Sequence, residues 1–179
     1  MINNDAKIFF DKLDYLKNSS DRIFIRKKIV KNFLGDLKNL NILDLGCGDG
    51  SISLQFLEKN NSITFVDISD KMLEKVKEKI PENKFSNVNF INLPIESLDF
   101  QKKFDVILCL GVIAHISSVE VLFHKINAFL KHGGLLVAET TPNPYPIGKI
   151  LFPYYYLRNY FLGQSQYKKN HLKIGRAHV

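Results

Sequence analysis

Apolar residues along this chain fall into two alternating patterns. Five short stretches rich in apolar residues read as strands, at 42–45, 63–66, 88–93, 104–111 and 135–140; the fourth is nearly continuous. Runs of this length and composition fit strands covered on both faces. Between them the apolar positions recur every three or four residues, the period of a helix with one buried face. Ser69 and Asp70 start one such helix as N-cap and first-turn acid. Met72, Leu73, Val76 and Ile80 form its apolar face, and Pro81 follows its end. Ser117-x-x-Glu120 reads as a capping box opening another helix, with Val119, Leu122, Phe123, Ile126, Phe129 and Leu130 inward and Gly133-Gly134 as its stop. Further helices precede the first run. Ala6, Phe9, Phe10, Leu13 and Leu16 share a face of 5–17. Ile23, Val30, Leu34 and Leu37 share a face of 21–37, opposite Arg22, Arg26, Lys28 and Lys31. Strands alternating with helices predict an α/β fold, a doubly wound and mostly parallel sheet behind an N-terminal helical cap.

The stretch 41–67, NILDLGCGDGSISLQFLEKNNSITFVD, organises the rest. Its first strand runs into glycines at alternate positions, Gly46, Gly48 and Gly50. A stretch able to form helix comes next, then a second strand ending on Asp67. Glycines let the backbone turn tightly and approach a ligand with no Cβ in the way. Asp67 lies 21 residues after Gly46, at a strand tip where a carboxylate accepts hydrogen bonds from both hydroxyls of a ribose. Strand, glycine turn, helix, strand and acid make a nucleoside-binding unit. A turn built for a pyrophosphate reads G-x-G-x-x-G. Here the pattern is D-x-G-x-G-x-G, with Asp44 before the glycines and Asp49 among them. Carboxylates around the turn repel a pyrophosphate and suit a ligand that carries an ammonium and a sulfonium.

ILDLGCGDG resembles the first motif of the class I S-adenosylmethionine-dependent methyltransferases, and VDIS, residues 66–69, resembles their second. The likeness runs over about residues 41–143. It implies a Rossmann-like sheet of strand order 3-2-1-4-5, continuing into two more strands, the last antiparallel, for which this sequence has no counterpart. It implies S-adenosylmethionine as cofactor, held by Asp44, Gly46, Cys47, Gly48, Asp67, Ile68, Met72, Ile95, Glu96 and Leu110. In that scheme Asp44 supports the amino acid part, Gly46 and Gly48 give close backbone contacts, and Asp67 holds the ribose. Leu110 offers backbone contact; Met72 touches the ribose or adenine, or only packs in the core. Many members place an Asp where this chain has Pro94, so the adenine falls to the Ile95 N–H and to Glu96, which otherwise reads as a solvated loop charge. The loop GVIAHI is similar to small-molecule methyltransferases of the quinone-biosynthesis type. Its His115 is the candidate catalytic base, against the plainer reading of a histidine bonded to the loop backbone. The implied reaction is in-line methyl transfer to a small-molecule acceptor. The alternatives are a non-catalytic cofactor-binding subunit or fragment and an NAD-dependent oxidoreductase. Nucleic-acid methylation fits poorly, since CLGVIAH stands where base-modifying members carry an Asn/Asp-Pro-Pro-Tyr motif.

Composition changes the picture only at the margins. The chain has 179 residues, 45% hydrophobic and 24% charged, one domain able to bury about 70% of its unfolded surface. Cys47 and Cys109 lack metal-ligand spacing, so no metal site is expected, and both read as reduced thiols of a cytoplasmic protein. No signal peptide and no apolar run of the ~20 residues that span a bilayer are visible. The formal charge is +7, which fits nucleic acid, an anionic substrate or a membrane surface, or simply a lysine-rich proteome. Residues 149–173 hold seven aromatics and no acid. They read either as a wall of the acceptor pocket in peripheral contact with a membrane, or as core residues that pack against absent strands. The last six residues, IGRAHV, match one reading frame of a common sequencing adapter. The expected organisation is therefore helices over 1–40, a truncated cofactor-binding domain over 41–173, and a non-native tail over 174–179.

Overall fold

The computed structural model describes residues 20–139. Five parallel strands form one sheet in the order β3-β2-β1-β4-β5. They are β1 Asn41–Leu45, β2 Ser62–Val66, β3 Val88–Ile91, β4 Phe104–Cys109 and β5 Leu130–Ala138. Among the described residues three α-helices accompany them: α1 Ser20–Leu34, α2 Asp70–Lys77 and α3 Val119–Phe129. Successive residues of a strand point to opposite faces, and the core splits accordingly. Leu43, Leu45, Ile107 and Cys109 pack with Leu122, Ile126 and Phe129 of α3. Ile42, Ile63, Phe65, Val106 and Leu108 pack with Val30 and Leu34 of α1 and with Leu73 and Val76 of α2. Burial on both faces is why the central strands β1, β2 and β4 are largely apolar. The helix expected over 5–17, Thr140, the segment 149–173 and the tail 174–179 lie outside the described residues. Among the described residues no helix is long and apolar enough to cross a membrane.

Several expected boundaries move, each for a local reason. α1 ends at Leu34, before the expected Leu37, because Gly35 turns left-handed at φ 61° and its N–H returns to the Lys31 carbonyl at 2.8 Å. The stretch after the glycine turn forms a six-residue 3₁₀ helix, Leu54–Lys59, closed by Asn60 at φ 57°. α3 is capped by Ser118, whose hydroxyl accepts from the Val121 N–H at 3.3 Å; the expected cap, Ser117, instead donates to Glu96 Oε1 at 3.2 Å. Val119 and Phe123, expected inward, are exposed. Gly133-Gly134 does not stop a helix. α3 has already ended at Phe129, and the pair lies where β5 slips register, from Phe104 opposite Leu130 to Val106 opposite Leu135. Gly133, at φ 77°, gives that bulge a conformation other residues resist.

One residue ties the end of the first crossover to the segment that enters β1. Asn61 is fully buried, and its side chain closes three backbone bonds. Its Oδ1 accepts from the Leu40 N–H at 2.9 Å, and its Nδ2 donates to the Leu37 and Phe56 carbonyls at 3.0 and 2.8 Å. Asn61→Ala removes the partner of the Leu40 N–H and of the Leu37 and Phe56 carbonyls, the bond to the last being buried. It is expected to cost about 3 kcal/mol in denaturant unfolding; a loss well under 1 kcal/mol would show that water replaces the amide.

Candidate functional site

The loops leaving the carboxyl ends of β1, β2 and β4 meet over the sheet, where open α/β sheets bind ligands. The first is the glycine turn. Gly46, Gly48 and Gly50 all have left-handed φ, at 66°, 54° and 70°. Gly46 is irreplaceable on two grounds, since a Cβ there would also stand 2.3 Å from Val112 Cγ2 of the β4 loop. The turn is tied to the tip of β2: the N–H groups of Gly46 and Cys47 both donate to the Val66 carbonyl, at 2.8 and 3.0 Å. Asp67 completes the tie. Its Oδ2 accepts from the Gly48 N–H at 2.8 Å and its Oδ1 from the Ser69 N–H at 2.9 Å. Asn92, beyond β3, donates to the carbonyls of Asp67 and Ile68, both at 3.0 Å. Ser69 caps α2 by accepting from the Met72 N–H, which points Met72 inward.

These loops enclose a cavity of about 340 Å³. Asp44, Gly46, Cys47, Gly48, Asp67, Ile68, Met72, Ile95, Glu96 and Leu110 all line it, as does His115. Met72 and Ile95 are buried, while Glu96 and His115 are exposed at the rim. His115 closes the short turn Ile113–His115, its N–H donating to the Val112 carbonyl at 2.8 Å. Pro94, standing where an acid would otherwise be expected, is part of the lining.

The acids of the site differ sharply in state. Asp44 is buried; burial pushes its carboxyl up to about 7, assisted by the charge of Asp67 and opposed by a hydrogen bond from Ser53. Burial also raises the Cys47 thiol well above its ordinary range, with Asp44 and Asp67 adding to it, so this sulfur is a neutral neighbour and not a nucleophile. Asp49 goes the other way. Burial alone would raise it, yet hydrogen bonds from Lys79 and Ser51 hold it below the ordinary carboxylate value. The glycine-turn pattern has Asp49 face the ligand as a charge; in the structure that charge is matched by Lys79.

Sequence reasoning misses one charged member. The periodicity puts Arg26 on the outer basic face of its helix, yet α1 turns both Ile23 and Arg26 to the cavity. The Arg26 guanidinium forms a two-pronged ion pair with Glu139, just past β5, at 2.9 and 2.8 Å. The pair ties α1 to the end of β5, and Arg26 itself lines the cavity beside Gly111. The signal available was its position three residues after Ile23, on the inward face.

A profile described as "Methyltransferase domain" matches residues 36–149. Malonyl-[acyl-carrier protein] O-methyltransferase 2 of Ilyobacter polytropus is 41% identical over 102 residues, covering 56% of this chain and 39% of that protein. Ubiquinone biosynthesis O-methyltransferase of Rickettsia felis is 30% identical over 134 residues, covering 73% of this chain and 54% of the relative. A crystal structure of coclaurine N-methyltransferase, bound to N-methylheliamine and SAH, superposes with a TM-score of 0.57 at 25% identity, covering 64% of this chain and 34% of that one. The chain spans about half or less of the length of the curated relatives it matches. The matched span holds the glycine turn and every strand from β1 to β5, and on that ground the chain belongs to the methyltransferase-domain family.

Proposed function

We propose that this chain is the cofactor-binding part of an enzyme that transfers a methyl group from S-adenosylmethionine to an oxygen of a small-molecule acceptor. The observation that carries the reading is Asp67, its carboxylate fixed at the cavity by the Gly48 and Ser69 N–H groups. A carboxylate held at a strand tip beside a glycine turn suits the two hydroxyls of a ribose. Asp44, buried with a carboxyl that ionises only reluctantly, suits the cofactor's ammonium. The open space at Gly48, with nothing within 4 Å of a Cβ placed there, suits a close backbone approach. The sulfonium supplies an already activated methyl group. The protein's part is to orient the acceptor in line with it and exclude water. Apolar walls from Ile23, Val112 and Ile116 favour a hydrophobic acceptor. The names of the two relatives, one for a malonyl group on a carrier protein and one for ubiquinone biosynthesis, make a carrier-linked or lipid-linked acceptor the natural class. A membrane-facing role for 149–173 and a helical cap over 1–40 belong to the same proposal. The free thiols of Cys47 and Cys109 support a cytoplasmic location.

Calorimetry is expected to detect S-adenosylmethionine and no comparable binding of NAD; the reverse would overturn the reading. Asp67→Ala should weaken cofactor binding by about 1.5–3 kcal/mol, the value of a charge-assisted hydrogen bond.

Asp44 gives a pH test. The folded carboxyl keeps its proton up to about pH 7, whereas in the unfolded chain it ionises near its ordinary 3.8. Across that window the folded state binds the extra proton, so Asp44 subtracts stability as pH rises. Asp44→Asn is expected to unfold at higher temperature than the parent at pH 8, and to lose the gain near pH 4. Cofactor binding should move oppositely: in the parent it strengthens from pH 6 to 8 as Asp44 ionises, and in Asp44→Asn it stays weak and flat.

His115 is assigned as the base for a hydroxyl acceptor. On an acceptor the protein methylates, His115→Ala should slow turnover by about 10²–10⁴-fold. An unchanged rate in a normally folded variant removes it from the mechanism.

A further inference from the structure

The glycine turn has an unusual problem of support. Its glycines have the widest conformational freedom of any residue. The turn leads into the 3₁₀ helix Leu54–Lys59, whose hydrogen-bond geometry is poorer than that of an α-helix. Within the turn the Gly50 N–H reaches the Cys47 carbonyl at 3.0 Å, and the Leu54 N–H reaches the Gly50 carbonyl at 3.0 Å. Its first half is tied to the tip of β2, through Val66 and Asp67; its second half is met by the far end of α2. Val76 packs so tightly on Gly50 that a Cβ at 50 would stand 3.1 Å from its Cγ1. Just past the end of α2, Lys79 reaches back across 30 residues of sequence. Its Nζ donates to the Asp49 carbonyl at 2.9 Å, to Asp49 Oδ2, and to Ser51 Oγ at 3.2 Å. Ser51 itself donates to Asp49 Oδ2 at 2.6 Å. The Asp49 side chain is 11% exposed, which sets this pair apart from freely solvated surface pairs of negligible worth.

We propose that Lys79 is a positioning residue for cofactor binding: by gripping Asp49 and Ser51 it fixes the turn that carries Gly46 and Gly48, although the contacts it makes are to the turn and not to the ligand's ribose acid. The proposal rests on the cofactor reading above. α2 thereby braces the site from both ends. Its N-terminal Ser69 and Met72 hold the Asp67 side, and its C-terminal Val76 and Lys79 hold the glycine side. The same grip leaves Asp44 as the acid of the turn not matched by Lys79.

The test compares Lys79→Met, Lys79→Arg and Asp49→Asn with the parent by two readouts. The first is amide hydrogen exchange of residues 46–51 in the ligand-free protein. The second is the dissociation constant for S-adenosylmethionine at low and high salt. Lys79→Met should speed exchange in the turn and weaken cofactor binding by about tenfold. It should also flatten the salt dependence, because a half-exposed pair is screened by ions. Lys79→Arg should recover most of the affinity. Asp49→Asn added to Lys79→Met should cost little more, since the groups act as a unit. Should Lys79→Met fail to fold, Ser51→Ala removes one arm of the grip and should show a smaller shift in both readouts. Unchanged exchange and affinity in these variants would overturn the proposal and reduce Lys79 to a surface charge. A parent that binds no S-adenosylmethionine would defeat the cofactor reading instead, and the exchange comparison would still decide whether Lys79 holds the turn.

Discussion

The hydrogen bonds that the Asp67 carboxylate accepts from Gly48 and Ser69 hold this site in one piece. One oxygen fixes the glycine turn after β1, and the other fixes the entry to α2. Everything else at the cavity is arranged about that bridge. The turn must be glycine because Gly46, Gly48 and Gly50 run at left-handed φ, Gly46 also against Val112. The strands must stay in register because Asp67 meets Gly48 only when the tips of β1 and β2 are level, as the pairing of Leu45 with Val66 makes them. The two-faced apolar core is the rigid base that keeps those tips level.

The charges at the cavity divide into two kinds. Arg26 is matched by Glu139, and Asp49 by Lys79. These pairs bind elements together: α1 to the edge of β5, and α2 to the glycine turn. Asp44 is held in burial beside Asp67, at a cost that shows in its raised carboxyl. Burial of a carboxylate without a full set of partners is unfavourable, and such strain gathers at functional sites. A cationic ligand beside Asp44 would relieve it.

The sheet was legible in the sequence because central parallel strands are apolar on both faces, so composition alone marked them. The cavity lining was legible because a glycine turn and a following strand tip fix their relative positions through local geometry. The features that escaped depended on distance. Arg26 finds Glu139 across 113 residues, and Lys79 finds Asp49 across 30; neither partner is marked in its own neighbourhood. The sequence pattern put the cap of α3 at Ser117. The choice fell to Ser118 because Ser117 bonds Glu96, on a loop 21 residues earlier. Gly133-Gly134 looked like a helix stop because a bulge and a helix end ask for the same backbone freedom.

The decisive observation is a crystal structure of the protein with S-adenosylhomocysteine. The ribose hydroxyls are expected on the Asp67 carboxylate, the amino acid part beside Asp44, and the Gly48–Asp67–Ser69 bridge intact. A ligand seated elsewhere, or one whose ribose makes no contact with Asp67, would contradict this placement.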